Sequence, residues 1–287
     1  MDNRIYIVSD TSLLMDYLIK TFPDYNRKKI KGYLSNGGVV VNGKIVTKYN
    51  HELKRGDEII LDKYGCYLYL EENKIKLLYE DNDFVVINKP CKMLSAPAES
   101  SPRSAYDIML NYVKLRNKAD NIFILHRLDR DTSGVLVFTK SIKLRDKMQD
   151  NWDNYVKARK YIAVVNPKME KKHDRLIDYL QENSEYMVYV TNKSDDAKEA
   201  ITNYKVIKEN EKYSLLDISL ETGRKNQIRV QLSSRGNIII GDSKYGSKIN
   251  PLKRMLLHAY QISFIHPITN KTITIETKIP NIFYALF

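Results

Sequence analysis

FILHRLDRDTSGVLVF, residues 123–138, sets two apolar runs on either side of a stretch dense in charge. Phe123, Ile124 and Leu125 run straight into His126, Arg127, Asp129, Arg130 and Asp131, and Thr132-Ser133-Gly134 leads directly back into Val135. Short runs of β-branched and aromatic residues around a polar loop predict two strands with the charges held between them. A fully solvated loop would carry these residues without penalty. A carboxylate between two strands is partly desolvated, and it is tolerated only where a cation or backbone donors meet it. That setting makes Asp129 a candidate for chemistry.

Outward from this stretch, strands dominate. LLYEDNDFVVINKP (77–90) reads as a hairpin around Asp81-Asn82-Asp83, and a polar loop leads to a helix over AYDIMLNYVKLR (105–116). A helix is predicted from about Ile142 to Asn154, and another within NQIRVQLSSRG (226–236). Strands are predicted at RKYIAVV, MVYVTN, AITNYKVI, YSLLDISLE, NIIIGD, LLHAYQISFIH and TITIETKI. Many hairpin-joined strands with few, dispersed helices predict a large mixed sheet, mainly antiparallel.

Residues 11–62 read as a separate small α/β unit, so the chain is of α+β class. TSLLMDYLIKTFPDY spaces Leu13, Leu14, Tyr17 and Leu18 as a helix that Pro23 ends, and NRKKIKGYLSN forms a second helix stopped by Gly37-Gly38. VVVNGKIV is a hairpin in which Asn42-Gly43 supplies the positive φ angles of a tight turn. RGDEIIL closes the unit as a strand. Residues 63–76 read as a linker, with Tyr64, Tyr67 and Tyr69 alternating as in an extended strand. The expected division is 1–62, a linker at 63–76, and 77–287.

Charge restricts the partners. The 47 Lys and Arg residues exceed the 35 Asp and Glu, leaving a formal +12, which favours a polyanion over a neutral glycan. Cys66 and Cys91 stand at no metal-ligand spacing, so neither a disulfide framework nor a zinc site is expected. No apolar run approaches the roughly 18 residues of a membrane span, and MDNRIYIVSD lacks a signal-peptide layout. A cytoplasmic monomer with no membrane contact and no obligate protein partner is expected.

The order of helix, basic helix, glycine pair, VNG hairpin and GD strand resembles the S4-like RNA-binding domain. The resemblance implies RNA contacts for Arg27, Lys28, Lys29 and Lys31 on the second helix and for Lys44 at the hairpin edge. A solvated helix face alone would account for the basic run; the hairpin at the right distance favours phosphate contacts.

HRLDRDTSG resembles, at His126, Arg127, Leu128, Asp129, Thr132, Ser133 and Gly134, the signature loop of the RluA-type RNA pseudouridine synthases. INKP (87–90), RKYIA (159–163), TGRKNQIR (222–229) with GDSKYG (241–246), and LLHA (256–259) match that family in order. The resemblance implies isomerisation of uridine to pseudouridine without nicotinamide, metal or ATP. It implies that Asp129 is the catalytic aspartate, acting as nucleophile or as the base that initiates glycal formation. It assigns Tyr161 to stacking on the flipped base and to proton removal at carbon 5. A guanidinium beside Asp129 would favour and orient its charge, and Arg229 is the expected partner, with Arg224 as the alternative. Arg127 and His126 are expected to handle the RNA as the base leaves its stack, although a histidine at a strand end also serves structure. Leu257 is expected as an apolar wall of the pocket, a role any core leucine resembles.

One departure stands out: Asn226 occupies the place where the family usually has His. Asparagine keeps a donor and an acceptor but does not titrate near neutral pH. Large-subunit ribosomal RNA is the expected substrate, with transfer RNA as the alternative. Two other readings are an RNA-binding protein that has kept the fold without the reaction, and a nucleosidase using Asp129 and Asp131 as paired carboxylates.

Overall fold

The computed structural model describes residues 5–98 and 103–287, and the chain divides into two compact units. One comprises residues 1–76 with 108–121, the other 77–107 with 122–287.

The first unit contains β1 (Tyr6–Ile7), β2 (Ser12–Leu13), α1 (Leu14–Thr21), α2 (Arg27–Ser35), β3 (Val39–Val41), β4 (Lys44–Ile45), β5 (Glu52–Leu53), β6 (Glu58–Leu61) and α3 (Cys66–Glu72). Its four-stranded sheet runs β1-β6-β3-β4. Leu14, Leu18, Ile30 and Leu34 from the two helices pack with Val39, Val41 and Ile59 in one core. Asn26 caps α2 by accepting from the Lys29 amide at 2.8 Å. Asn42 and Gly43 take φ of 49° and 72°, the primed turn expected of their dipeptide.

The linker expectation is corrected in one respect: residues 66–72 form a helix rather than an extended strand. Buried Asp62 accepts the Tyr67 amide at 2.7 Å, and Cys66 and Leu70, one turn apart, supply the buried face.

The second unit contains β7 (Lys76–Glu80), β8 (Phe84–Lys89), α4 (Ala105–Arg116, whose later turns fall in the first unit), β9 (Phe123–Ile124), β10 (Ser133–Thr139), α5 (Ile142–Asp150), α6 (Trp152–Tyr155), β11 (Val156–Asn166), β12 (His173–Glu182), β13 (Val188–Thr191), β14 (Lys198–Glu209), β15 (Ser214–Leu220), α7 (Gln227–Ser233), β16 (Ile238–Ile239), β17 (Leu257–Ile265) and β18 (Thr272–Glu276). The sheet runs β13-β12-β14-β15-β11-β17-β10-β8-β7. β10 lies parallel to β17, while β11 is antiparallel to both β15 and β17.

Both faces of the sheet's centre are covered. Ala163 and Val165 of β11 pack with Ile228 and Leu232 of α7 on one side, and Ile162 and Val164 pack with Leu256 and Phe283 on the other. Coverage on both sides explains why β11 reads as an unbroken apolar run at its end.

Register brings the sequence motifs together. Ser133 and Gly134 stand opposite His258 and Ala259, Gly134 also faces Lys89, and Tyr161 faces Ala259. Gly134 has φ of +123°, and a Cβ there would lie 2.0 Å from the Ala259 carbonyl oxygen, so only glycine allows this approach. Among the described residues no helix is long and apolar enough to cross a membrane.

Candidate active site

The loop between β9 and β10 is fixed from below by a lysine. Lys89, fully buried at the end of β8, donates from Nζ to the carbonyls of Pro90 at 3.0 Å, Met93 at 2.7 Å and Arg130 at 3.1 Å. Burial lowers its pKa to about 8 despite the nearby acids. Ser95 adds a reciprocal pair, accepting from the Leu128 amide at 3.0 Å and donating to the Leu128 carbonyl at 2.7 Å. The backbone on either side of Asp129 is thereby held.

Arg229 is presented from α7, whose residues 227–232 are all buried. Gln227 seats the preceding turn by accepting the Arg224 amide at 2.9 Å and the Thr222 hydroxyl at 2.8 Å. One turn face then directs Arg229 at two carboxylates. Its Nε and Nη2 meet Asp242 at 2.7 and 2.8 Å in a bidentate pair, and Nη1 meets Asp129 at 2.8 Å. The Asp242 side chain is 1% exposed and that of Asp129 28%, so Asp242 anchors the guanidinium and Asp129 remains open to a ligand.

Asn226 completes the arrangement. Its Oδ1 accepts Arg229 Nη1 at 3.1 Å, and its Nδ2 donates to the Tyr245 hydroxyl at 2.9 Å. The Tyr245 ring lies under the guanidinium, with 5.0 Å between guanidinium carbon and ring centroid.

These groups open on a cleft of about 1420 Å³, larger than the few hundred Å³ typical of small-ligand pockets. Arg127, Arg159, Arg224, Lys225 and Lys244 line it with Tyr161. Burial, then the charge of Asp129, raises the Tyr161 phenol, which keeps it protonated at neutral pH. Arg224 lies in the same cleft but donates Nε to the Glu199 carbonyl at 2.8 Å; Arg229 is the partner of Asp129. Arg127 is exposed at the cleft.

His126 also lines the cleft, but its Nε2 accepts the Val137 amide at 3.3 Å and burial lowers its pKa to about 4. Its hydrogen bonding serves the strand pair. Leu257 is corrected from pocket wall to core: it is 3% exposed and packs beneath Tyr161, while Met255 and Leu220 supply apolar lining. Asp131 is held by Arg130 at 3.1 Å. In the first unit, Arg27, Lys28, Lys29, Lys31 and Lys44 are all exposed, and Lys29 Nζ sits 3.7 Å from the centre of the Tyr25 ring.

Among the described residues, Asp81, Asp83 and His266 form the one cluster with spacing compatible with a metal. His266 Nδ1 accepts the amides of Ile268 and Thr269 at 3.2 and 3.3 Å, which leaves the proton on Nε2, directed at Asp83 at 3.3 Å. Asp81 Oδ1 caps the amides of Asp83 and Phe84. These bonds lock the turn between β7 and β8, with a proton where a metal would bind.

A large mixed sheet, an open aspartate oriented by a doubly anchored arginine, and a cation-lined cleft define an enzyme that acts on a polyanion. Comparison with known proteins specifies which. A model of the RNA pseudouridylate synthase family matches residues 83–234, and an S4 domain model matches residues 14–59. An uncharacterized RNA pseudouridine synthase of Mycoplasma pneumoniae is 30% identical over 96% of this chain and 97% of its own. The ribosomal large subunit pseudouridine synthase D of Vibrio parahaemolyticus is 28% identical over 94% of this chain and 88% of its own. In fold, the chain is similar to human RNA pseudouridylate synthase domain containing 4, with a TM-score of 0.62 and 23% identity over 77% of this chain and 94% of that one. The chain belongs to the RNA pseudouridylate synthase family, carries an S4 domain, and is an isomerase acting on RNA.

Proposed function

We propose that this isomerase modifies uridine in large-subunit ribosomal RNA, with Asp129 as its catalytic carboxylate. The observation that carries the assignment is the 2.8 Å pair between Asp129 and Arg229 at the floor of the cleft. An oriented carboxylate can start the reaction at the ribose, where the bond from C1′ to N1 breaks. The freed uracil turns and C5 bonds to C1′; the proton on C5 leaves and N1 ends protonated. Atoms balance within the nucleotide, so no oxidant or hydrolytic water is consumed.

Asp129 and the cleft act on a base that has left its stack, at a cost of roughly a few kcal/mol. Arg127, exposed within the β9–β10 loop, occupies the vacated space or meets the backbone. Tyr161 stacks on the uracil as a neutral phenol; its raised pKa leaves little phenolate at neutral pH to take the C5 proton. Residues 1–62 bind RNA through α2 and Lys44, and residues 77–287 hold the reaction. The protein works as a cytoplasmic monomer. Support for the ribosomal substrate comes from the relatives named ribosomal large subunit pseudouridine synthase D.

The test is tritium release from RNA labelled at C5 of uracil, with ribosomal and transfer RNA supplied separately. Wild-type protein is expected to release tritium from large-subunit RNA, and Asp129→Ala to lose roughly 10³-fold in rate or more while binding the same RNA. Retained turnover in Asp129→Ala would remove the assignment. Release only from transfer RNA would replace the substrate.

A further inference from the structure

Arg159 is a cleft cation without a task in the reaction described above. It precedes Tyr161 by two residues on β11, so both side chains point to the same face of the sheet. Its guanidinium carbon lies 5.4 Å from the Trp152 ring centroid, and Nη2 donates to the Glu221 carbonyl at 3.2 Å. On its other side is Gly223, where a Cβ would stand 2.2 Å from Nη1. Glycine at 223 thus leaves the space that the guanidinium fills. Indole, glycine and carbonyl together form a slot for a flat cation, which a lysine would not fill.

The charge in this slot is unbalanced. Within the same cleft Arg229 pairs with two aspartates, Arg130 with Asp131, Arg145 with Asp146 and Lys225 with Glu182. Arg159 has no carboxylate at ion-pair distance among the described residues, and Arg224, whose charge reaches it, uses only Nε on the Glu199 carbonyl. Burial lowers the Arg159 pKa against the opposing charges of Tyr161 and Asp153, and the repulsion from Arg224 adds a smaller push in the same direction. Two guanidiniums lining one cleft, neither in an ion pair with a carboxylate among the described residues, favour an anion with several acceptor oxygens.

We propose that Arg159, with Arg224 beside it, clamps a phosphodiester of the RNA strand next to the target uridine. This rests on the reading of the chain as an RNA isomerase, and it assigns a backbone contact that fixes which nucleotide faces Asp129. Phosphate contacts set register without reading sequence. Trp152 acts through Arg159, by holding the guanidinium plane.

The experiment measures equilibrium binding of a short single-stranded RNA, one uridine among cytidines, to the Asp129→Ala protein. A neutral methylphosphonate replaces one linkage at a time. One linkage beside the uridine is expected to weaken binding about tenfold when Arg159 is present, and to have no effect when Arg159→Ala is added. Arg159→Ala should also lower the slope of log K against log salt by about 0.7, the value for one contact on a single strand. Gly223→Ala, whose methyl group displaces the guanidinium, should reproduce the loss with the arginine still in the chain. Equal methylphosphonate effects with and without Arg159 at every linkage would overturn the clamp. Tritium release by the wild type is read in parallel: coupling without release removes the isomerase chemistry and leaves the clamp, whereas release without coupling removes the clamp alone.

Discussion

Asn226 shows how a departure from a family pattern can leave a site intact. Its φ is +53°, a conformation in which Asn and His are both enriched among non-glycine residues. It accepts from Arg229 and donates to Tyr245, and a neutral histidine also offers one acceptor and one donor. The two side chains differ in titration. Asn226→His is therefore expected to be active above neutrality and to lose about tenfold in kcat/KM as pH falls through roughly 6.5, where the imidazolium can no longer accept from Arg229. The wild type, lacking that group, is expected to show no such limb; pH–rate profiles of the two proteins decide it. Asp242→Ala bears on the same arginine from the other side. Removing the buried partner of a bidentate pair is expected to cost about 3–5 kcal/mol in stability and to release Arg229 from alignment, measured by urea unfolding together with kcat.

At the scale of elements, some features were plain in the sequence and others depended on distant partners. The Asn42-Gly43 hairpin, α2 and the β9–β10 loop carry local signals, and each forms where expected. α3 was hidden because Asp62, which accepts the Tyr67 amide of its first turn, and its buried pair, Cys66 and Leu70, sit among tyrosines whose spacing imitates a strand. β12 gave no clear strand pattern because Asp178 lies on its inward face, where Arg235 at 2.8 Å and Gln231 at 2.7 Å neutralise it. The same distinction holds at the site. Asp129, Tyr161 and Arg229 were legible as motif residues, whereas Lys89 acquires its role only from carbonyls up to 41 residues away. α2 supplies a prediction of its own. Lys28→Ala with Lys29→Ala is expected to weaken RNA binding and reduce the salt slope by about one to two units; titrations at several salt concentrations measure it, and an unchanged slope would move the contact surface off α2.

Across the whole molecule, the sheet makes one assembly of motifs that are far apart in the chain, and the parallel pairing of β10 with β17 is where they join. Ser133 stands there beside His258 with Oγ 2.7 Å from Nδ1, and Arg254 donates to the same Oγ at 2.7 Å. Arg254 can only donate, so Ser133 Oγ accepts from it and shares a second hydrogen bond with Nδ1 of His258. Burial, with the charge of Arg254, lowers the His258 pKa to about 3, whereas the unfolded chain titrates near 6.5. Between those values the unfolded chain binds a proton that the folded chain refuses, so stability is complete above about pH 6.5 and falls with acidification at about 1.4 kcal/mol per pH unit. The sheet is expected to lose about 2 kcal/mol between pH 7.5 and pH 5 from this residue alone. Urea unfolding followed by the fluorescence of Trp152, the chain's single tryptophan, reports on the unit that contains His258. His258→Asn keeps a hydrogen-bonding partner for Ser133 and removes the titrating group, so it should lose about 2 kcal/mol less than the wild type over the same interval. Equal losses in the two proteins would place the acid sensitivity elsewhere and break the link between the β10–β17 junction and the stability of the sheet that carries the site.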